Sequence, residues 1–175
     1  FLCCVTFLGC VTFLGWVIFR GRGVRVRCRL RPRPAGLCRS AGARRGGAPK
    51  NHEKLAEQHK LFVRDRLRIL LDEECFEDGL LVRHLDNLPG DALVTLVGRI
   101  GGRQVGIIAN DMTVKAGTWG RKTFQKWTRM QEIARETRIP LIYLIDSAGA
   151  RIDEQFESYT GRRAWGNIFY NQIQL

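Results

Sequence analysis

The first 50 residues of this 175-residue chain contain no acidic side chain; they hold ten Arg and one Lys, and the first carboxylate is Glu53. The remaining residues hold 18 basic and 17 acidic side chains. A formal charge of +12 would by itself suggest a nucleic-acid or anionic-membrane partner. Its confinement to one end removes most of the case for that reading of the body, which is electrically balanced. Cysteine is just as unevenly spread. Cys3, Cys4, Cys10, Cys28 and Cys38 lie in the amino-terminal segment and only Cys75 follows. No C-x-x-C pair and no Cys/His zinc spacing occurs, which argues against a structural zinc site and a disulfide scaffold. The body reads as that of a reduced, intracellular protein. Standard catalytic and nucleotide motifs are missing too. Gly98, Gly101 and Gly102 do not form G-x-G-x-x-G, there is no P-loop, and Ser147 is not in a G-x-S-x-G elbow. His52 and His59 fall on a predicted surface helix and His84 in a loop, so all three read as solvated.

Residues 1–19 carry no charge and repeat V-T-F-L-G at Val5–Gly9 and Val11–Gly15. Residues 20–50 are dominated by Arg, Gly, Pro and Ala, with no periodicity and little to bury. Three readings of 1–45 compete: a membrane anchor with a basic flank, an arginine-rich arm for RNA or acidic lipid, and an extension that is not genuine coding sequence. The repeat, the lack of acids and the abrupt change of composition favour the third. The expected domain therefore spans 46–175, with neither nucleic acid nor membrane as its partner.

Within it, His52–Leu71 reads as an amphipathic helix with Leu55, Phe62, Leu67, Leu70 and Leu71 available for one face. Its charges, Arg64 and Arg66 among them, read as a solvated face. Ala92–Ile100 and Gln104–Asn110 read as strands joined by a Gly101-Gly102-Arg103 hairpin turn. A helix over Lys122–Arg138 stops before Pro140. A strand over Leu141–Ile145, a polar loop at Asp153–Gly161 and a helix near Ala164–Gln174 follow. Strand, helix and apolar strand in this order predict a βαβ crossover in an α/β fold.

The stretch P-L-I-Y-L-I-D-S-A-G-A-R, Pro140–Arg151, is the most telling. A continuous apolar run predicts a strand buried on both faces, and ligands of such sheets bind beyond the strands' carboxyl ends. Ser147-Ala148-Gly149-Ala150 are small enough for a ligand to approach backbone N–H groups. The alternative is a tight strand-to-helix bend that needs small residues and nothing more. Asp146 reads as a cap of that turn rather than a general base.

Several separated motifs carry a family resemblance. They are H-K-L-F-V-R-D-R at His59–Arg66, G-R-I-G-G-R at Gly98–Arg103, and A-N-D-M-T-V-K-A-G-T-W at Ala109–Trp119. R-M-Q-E-I-A at Arg129–Ala134, Y-L-I-D-S-A-G-A-R-I at Tyr143–Ile152 and N-I-F-Y-N-Q at Asn167–Gln172 complete the set. In this order they make residues 46–175 resemble the amino-terminal carboxyltransferase domain of biotin-dependent acyl-CoA carboxylases, propionyl-CoA carboxylase beta subunits above all. Glu74-Cys75 stands where that family usually has a small Gly-Ser pair, and Arg163-Ala164-Trp165-Gly166 also departs from its pattern.

The resemblance implies a crotonase-like α/β fold of stacked βαβ units, incomplete at its carboxyl end. It implies transfer of a carboxyl group from carboxybiotin to the alpha carbon of an acyl-CoA through an enolate. Ala148, Gly149 and Ala150 are then backbone oxyanion candidates. Lys115, Lys126 and Arg151 are CoA-binding candidates, with an ion pair to Asp153 or Glu154 as the alternative for Arg151. Arg129, in mid-helix, is expected to pair with Glu132 or Glu136. Biotin would arrive on a biotin carboxylase/carrier alpha subunit, no metal would be bound by this segment, and the beta subunits would form a homo-oligomer. A second glycine-rich turn and a biotin-receiving domain are expected beyond Leu175. The implied compartment is the cytoplasm, or the mitochondrial matrix in a eukaryote. A non-catalytic CoA-binding or subunit-interaction module of the same fold is the alternative. An enoyl-CoA hydratase is less favoured, because an acid follows its A-G-A turn where this chain has Arg151.

Overall fold

Two adjacent parallel strand ends organise the molecule, and both carry sequence motifs. The computed structural model describes residues 41–159 and 164–175. The uncharged and arginine-rich stretches 1–40 lie outside the described residues, so the readings made for them do too. A four-stranded sheet runs in the order β1 (Glu73–Asp78), β2 (Leu93–Ile100), β3 (Arg103–Asn110), β4 (Leu141–Leu144). The β1–β2 and β2–β3 pairs are antiparallel and β3–β4 is parallel. Helices precede it, α1 (Pro49–Glu57) and α2 (Val63–Leu70). α3 (Arg121–Thr137) makes the crossover from β3 to β4, and α4 (Gln155–Tyr159) and α5 (Trp165–Ile173) follow.

The predicted hairpin forms as expected. Ile100 pairs with Arg103 across Gly101 and Gly102, whose φ values are +56° and +76°. A two-residue loop with two positive φ angles matches the twist of the strands. Beyond it, alternation sorts the side chains. Val94 and Leu96, Val105, Ile107 and Ala109, and Ile142 and Leu144 turn to one face, against Val63 and Leu67 of α2. Leu93, Ile108, Leu141 and Tyr143 turn to the other, against Phe124, Trp127 and Met130 of α3 and Ile168 of α5. Helices on both faces of a sheet are the expected α/β arrangement. No helix of the described residues is long and apolar enough to cross a membrane.

The expected single helix over His52–Leu71 is two helices. His59 takes φ +54°, its N–H reaches Ala56 O at 2.9 Å, and Lys60 N–H reaches Leu55 O at 3.0 Å. This pair of bonds closes a helix carboxyl end, and it needs one left-handed residue. α3 ends the same way, with Arg138 at φ +55° and Ile139 N–H on Ala134 O. Of the predicted polar loop at 153–161, residues 153–159 are a 3₁₀ turn (Ile152–Glu154) leading into α4, and residues 160 and 161 lie outside the described residues. β4 takes part in both faces of the core, but all four of its residues are half-buried and Ile145 is exposed, so it is less covered than the apolar run predicts.

β1, E-E-C-F-E-D, has the composition of a solvated loop. It forms a strand because each of its acids meets an arginine. Glu73 pairs with Arg99, Glu74 with Arg44, Glu77 with Arg64 and Asp78 with Arg129. Arg129 thus reaches across to the sheet, with Asp78 Oδ2 3.1 Å from its Nε. Arg64, expected on a solvated face, is buried. Cys75 sits where the register with β2 shifts, between Glu74 and Phe76. Packing also extends to the amino-terminal side of Gly46, where Ala43 is buried.

Candidate functional site

The Ala109–Trp119 and Asp146–Arg151 motifs, which continue β3 and β4, lie side by side. Ala148 N–H donates to Ala116 O at 3.1 Å, Trp119 N–H to Gly149 O at 2.9 Å, and Arg151 N–H to Trp119 O at 2.8 Å. The last two bonds make a parallel bridge between Trp119 and Ala150. In such a bridge the paired residue's own N–H and C=O are directed away from its partner. Ala150 N–H is thus turned to the opposite side, and it makes no hydrogen bond among the described residues. Gly149 N–H is engaged by Ser147 Oγ at 3.1 Å. Gly149 has φ +108° and nothing lies within 4 Å of where a Cβ would stand. Of the three backbone candidates, Ala148 and Gly149 donate within the platform, while Ala150 N–H is turned away from Trp119.

The loop is built to sit this close. Asn110, fully buried, donates from Nδ2 to Gly117 O at 3.0 Å. Gly117 has φ +66°, and a Cβ there would run into Asp146 O and Ser147 Cα. Asp111 accepts from Thr113 N–H at 2.9 Å and from its hydroxyl at 2.5 Å. Burial pushes the Asp111 carboxyl up, and these bonds from Thr113 oppose that shift. Asp146 does not cap the turn; it pairs with Lys60 at 3.0 Å and so ties the chain between α1 and α2 to the end of β4.

The three expected cations part ways. Lys115 is exposed, with Asp153 4.0 Å from its ammonium. Arg151 is 5 % exposed, and four of its five N–H donors are engaged within the fold. Nη1 donates to Asp91 Oδ1 at 2.6 Å and Glu154 Oε1 at 3.2 Å. Nη2 donates to Thr118 O at 3.0 Å and Nε to Thr118 Oγ1 at 3.2 Å. Lys126 is 4 % exposed and donates to Gly90 O at 2.7 Å and to Leu93 O. Burial pushes its amine down to about 8, with Glu77, Asp78 and Asp91 pulling the other way. Arg151 and Lys126 are thus both buried, with most of their donors engaged inside the fold, and Lys126 also lines the cleft described below. The ion pair with Glu154 weighed for Arg151 is present, but its shortest contact is to Asp91.

Asp91 gave no signal in the sequence. Pro89-Gly90-Asp91 marks a turn, but nothing local shows that its carboxylate meets an arginine 60 residues later. Glu154 belongs to the same network. Burial would raise its carboxyl, but bonds from Arg83 and Arg121 N–H and the charge of Arg151 hold it below the usual range. The bond to Glu154 in turn raises the Arg83 guanidinium.

An open cleft of about 430 Å³ between the end of β1 and α3 shares no lining residue with this platform. Of the four cations that line it, Arg83 and Arg129 are paired with Glu154 and Asp78, and Lys126, one of the CoA-binding candidates, donates to Gly90 O and Leu93 O. The platform therefore stands as the candidate site. Among the described residues no group of three or more His, Cys, Asp or Glu is placed to hold a metal ion.

Residues 54–175 match the carboxyl transferase domain family. An uncharacterised carboxylase, YngE, of Bacillus subtilis (strain 168) is 51% identical over 139 residues, which is 78% of this chain and 27% of that protein. The biotin-dependent 3-methylcrotonyl-coenzyme A carboxylase beta1 subunit of Mycobacterium tuberculosis is 39% identical over 77% of this chain and 26% of its own length. Among solved structures, transcarboxylase 12S with methylmalonyl-coenzyme A and methylmalonic acid bound aligns with a TM-score of 0.72 at 30% identity. That alignment covers 81% of this chain and 29% of the other. The chain spans about a quarter of the length of the curated relatives it matches.

Proposed function

The chain belongs to the carboxyl transferase family, with its crotonase-like α/β fold, and from that premise we propose that it is the acyl-CoA-facing part of a biotin-dependent acyl-CoA carboxylase subunit. The reaction moves a carboxyl group from the nitrogen of carboxybiotin to the alpha carbon of an acyl-CoA. That carbon reacts as an enolate, so negative charge builds on the thioester oxygen. A backbone N–H aimed at that oxygen stabilises the transition state by about 3 kcal/mol. The observation that carries the reading is Ala150 N–H, turned away from Trp119 beside the open space at Gly149. Ala148 and Gly149, the other two oxyanion candidates, donate to Ala116 O and Ser147 Oγ and so hold this donor in place. Lys115, exposed on the neighbouring loop, is the candidate for a CoA phosphate.

Biotin would be carried to the site by an alpha subunit, and beta subunits would assemble with one another. The cytoplasm, or the mitochondrial matrix in a eukaryotic source, fits an enzyme of acyl-CoA. The test is direct binding of propionyl-CoA to the 175-residue chain by calorimetry. Binding that weakens at least threefold in Lys115→Ala supports the reading, and no detectable binding by the folded chain overturns it. The chain alone is expected not to turn over carboxybiotin. Acyl-CoA- and biotin-dependent carboxylation by it would show that this site needs no other part of the subunit.

A further inference from the structure

Gly90, Asp91 and Ala92 have φ values of +64°, +53° and +60° in succession. A backbone so far from the favoured regions at two non-glycine residues persists only where its surroundings hold it there, and such strain gathers at functional sites. The surroundings are specific. Lys126, from α3, holds Gly90 O and Leu93 O on either side of the turn. Thr123, in the first turn of α3, donates to Asp91 through its hydroxyl, which lies 3.0 Å from Asp91 O and 2.8 Å from Oδ2. The result is a carboxylate with no exposed surface, aimed with its other oxygen at Arg151 Nη1, 2.6 Å away.

Asp91 thereby reaches both halves of the platform, one directly through Arg151 and the other through the first turn of α3. Thr123 begins the helix that leaves the Ala109–Trp119 loop, and the Thr123 hydroxyl also accepts from Gly120 N–H at 3.0 Å. Arg151 ends the Ser147–Arg151 turn, and its guanidinium returns to Thr118 O and Oγ1. One buried anion fixes the spacing between the two segments whose backbones bridge at Trp119 and Ala150. A buried ion pair is a weak device for stability alone, since apolar residues often replace it without loss. It is a strong device for setting one geometry.

We propose that Asp91 is a positioning residue for the oxyanion turn: through Arg151 and Thr123 it sets where the Ala150 N–H lies. This rests on the acyl-CoA reading above. The experiment is Asp91→Asn in the 175-residue chain, read by amide hydrogen exchange and by propionyl-CoA calorimetry. Asn keeps the size but loses the charge. Exchange of the Trp119 and Arg151 amides should quicken at least tenfold while β3 amides keep their rates, and propionyl-CoA should bind at least tenfold more weakly. Equal acceleration in β3 would mean a general loss of stability and would overturn the proposal. So would unchanged affinity in a variant with quickened local exchange. If Asp91→Asn does not fold, Arg151→Lys takes its place, keeping the charge but losing the fork to Thr118, with the same results expected. If the unsubstituted chain binds no propionyl-CoA, the acyl-CoA reading fails, and the exchange pattern decides the positioning role by itself.

Discussion

Arg64 on α2 donates from Nη1 and Nη2 to the two carboxylate oxygens of Glu77 on β1, at 2.8 and 2.6 Å. The pair is almost fully buried, with 8 % and 5 % of the side chains exposed. A two-pronged geometry of this kind is the strong form of an ion pair. Removing one partner leaves the other buried and uncompensated. Glu77→Ala should therefore cost about 3–5 kcal/mol in denaturant unfolding. Glu74→Ala, whose carboxylate meets a half-exposed Arg44, should cost less than about 1 kcal/mol. Equal costs for the two would show that the burial of Glu77 does not matter.

Gly117 and Gly149 both have positive φ but differ in what surrounds them. A methyl at Gly117 meets backbone of the Asp146–Ser147 turn, whereas one at Gly149 meets nothing within 4 Å. Gly149→Ala should cost only the conformational strain, about 1–2 kcal/mol. Gly117→Ala adds a clash with backbone that cannot swing aside, for a total of roughly 2–4 kcal/mol. Thermal unfolding of both variants tests the order. A less stable Gly149→Ala would mean that the two motifs are not in contact as described.

The two motifs were readable because each carries its own local code: small residues after an apolar run, and a polar loop after an alternating strand. The hairpin was readable for the same reason, since Gly101-Gly102 is itself the turn. What was not readable depends on distant partners. β1 has four acids in six residues, a composition that disfavours strands, and only arginines from elsewhere in the chain make it one. The break after α1 falls at His59, where no glycine or proline announces it. For Arg151 and Lys126 the charge was visible but the burial was not, because the groups they meet, Asp91 and Gly90, lie far off in the chain.

Lys126 gives a pH signature of unusual sign. Its amine lies at about 8 in the folded chain against 10.5 as the ordinary value. Between these limits the unfolded chain holds the extra proton, so this group makes stability rise with pH across that window. The slope from one proton is at most about 1.4 kcal/mol per pH unit. The neutral amine still has two N–H donors, enough for Gly90 O and Leu93 O. Lys126→Met should therefore be destabilised relative to the unsubstituted chain by a margin that widens from pH 8 to 10. Parallel stability curves for the two proteins would refute the shift.

The outer face of α5 predicts how the chain behaves in solution. Phe169, Tyr170 and Ile173 fall on one side of the helix, and Phe169 and Ile173 are 61 % and 82 % exposed, while Ile168 and Asn171 face inward. Phe156 on the neighbouring α4 is 86 % exposed. Single exposed apolar residues are ordinary, but several together on adjacent helices make a patch that associates. Phe169→Glu with Ile173→Glu removes apolar surface that no core residue uses. The double variant should stay monomeric at concentrations where the unsubstituted chain aggregates, with an unfolding midpoint changed by less than the equivalent of about 1 kcal/mol. Light scattering across a concentration series checks the first part and a thermal melt the second. Aggregation at the same concentration would move the cause away from this face, and the half-covered strand β4 would then be the next surface to alter.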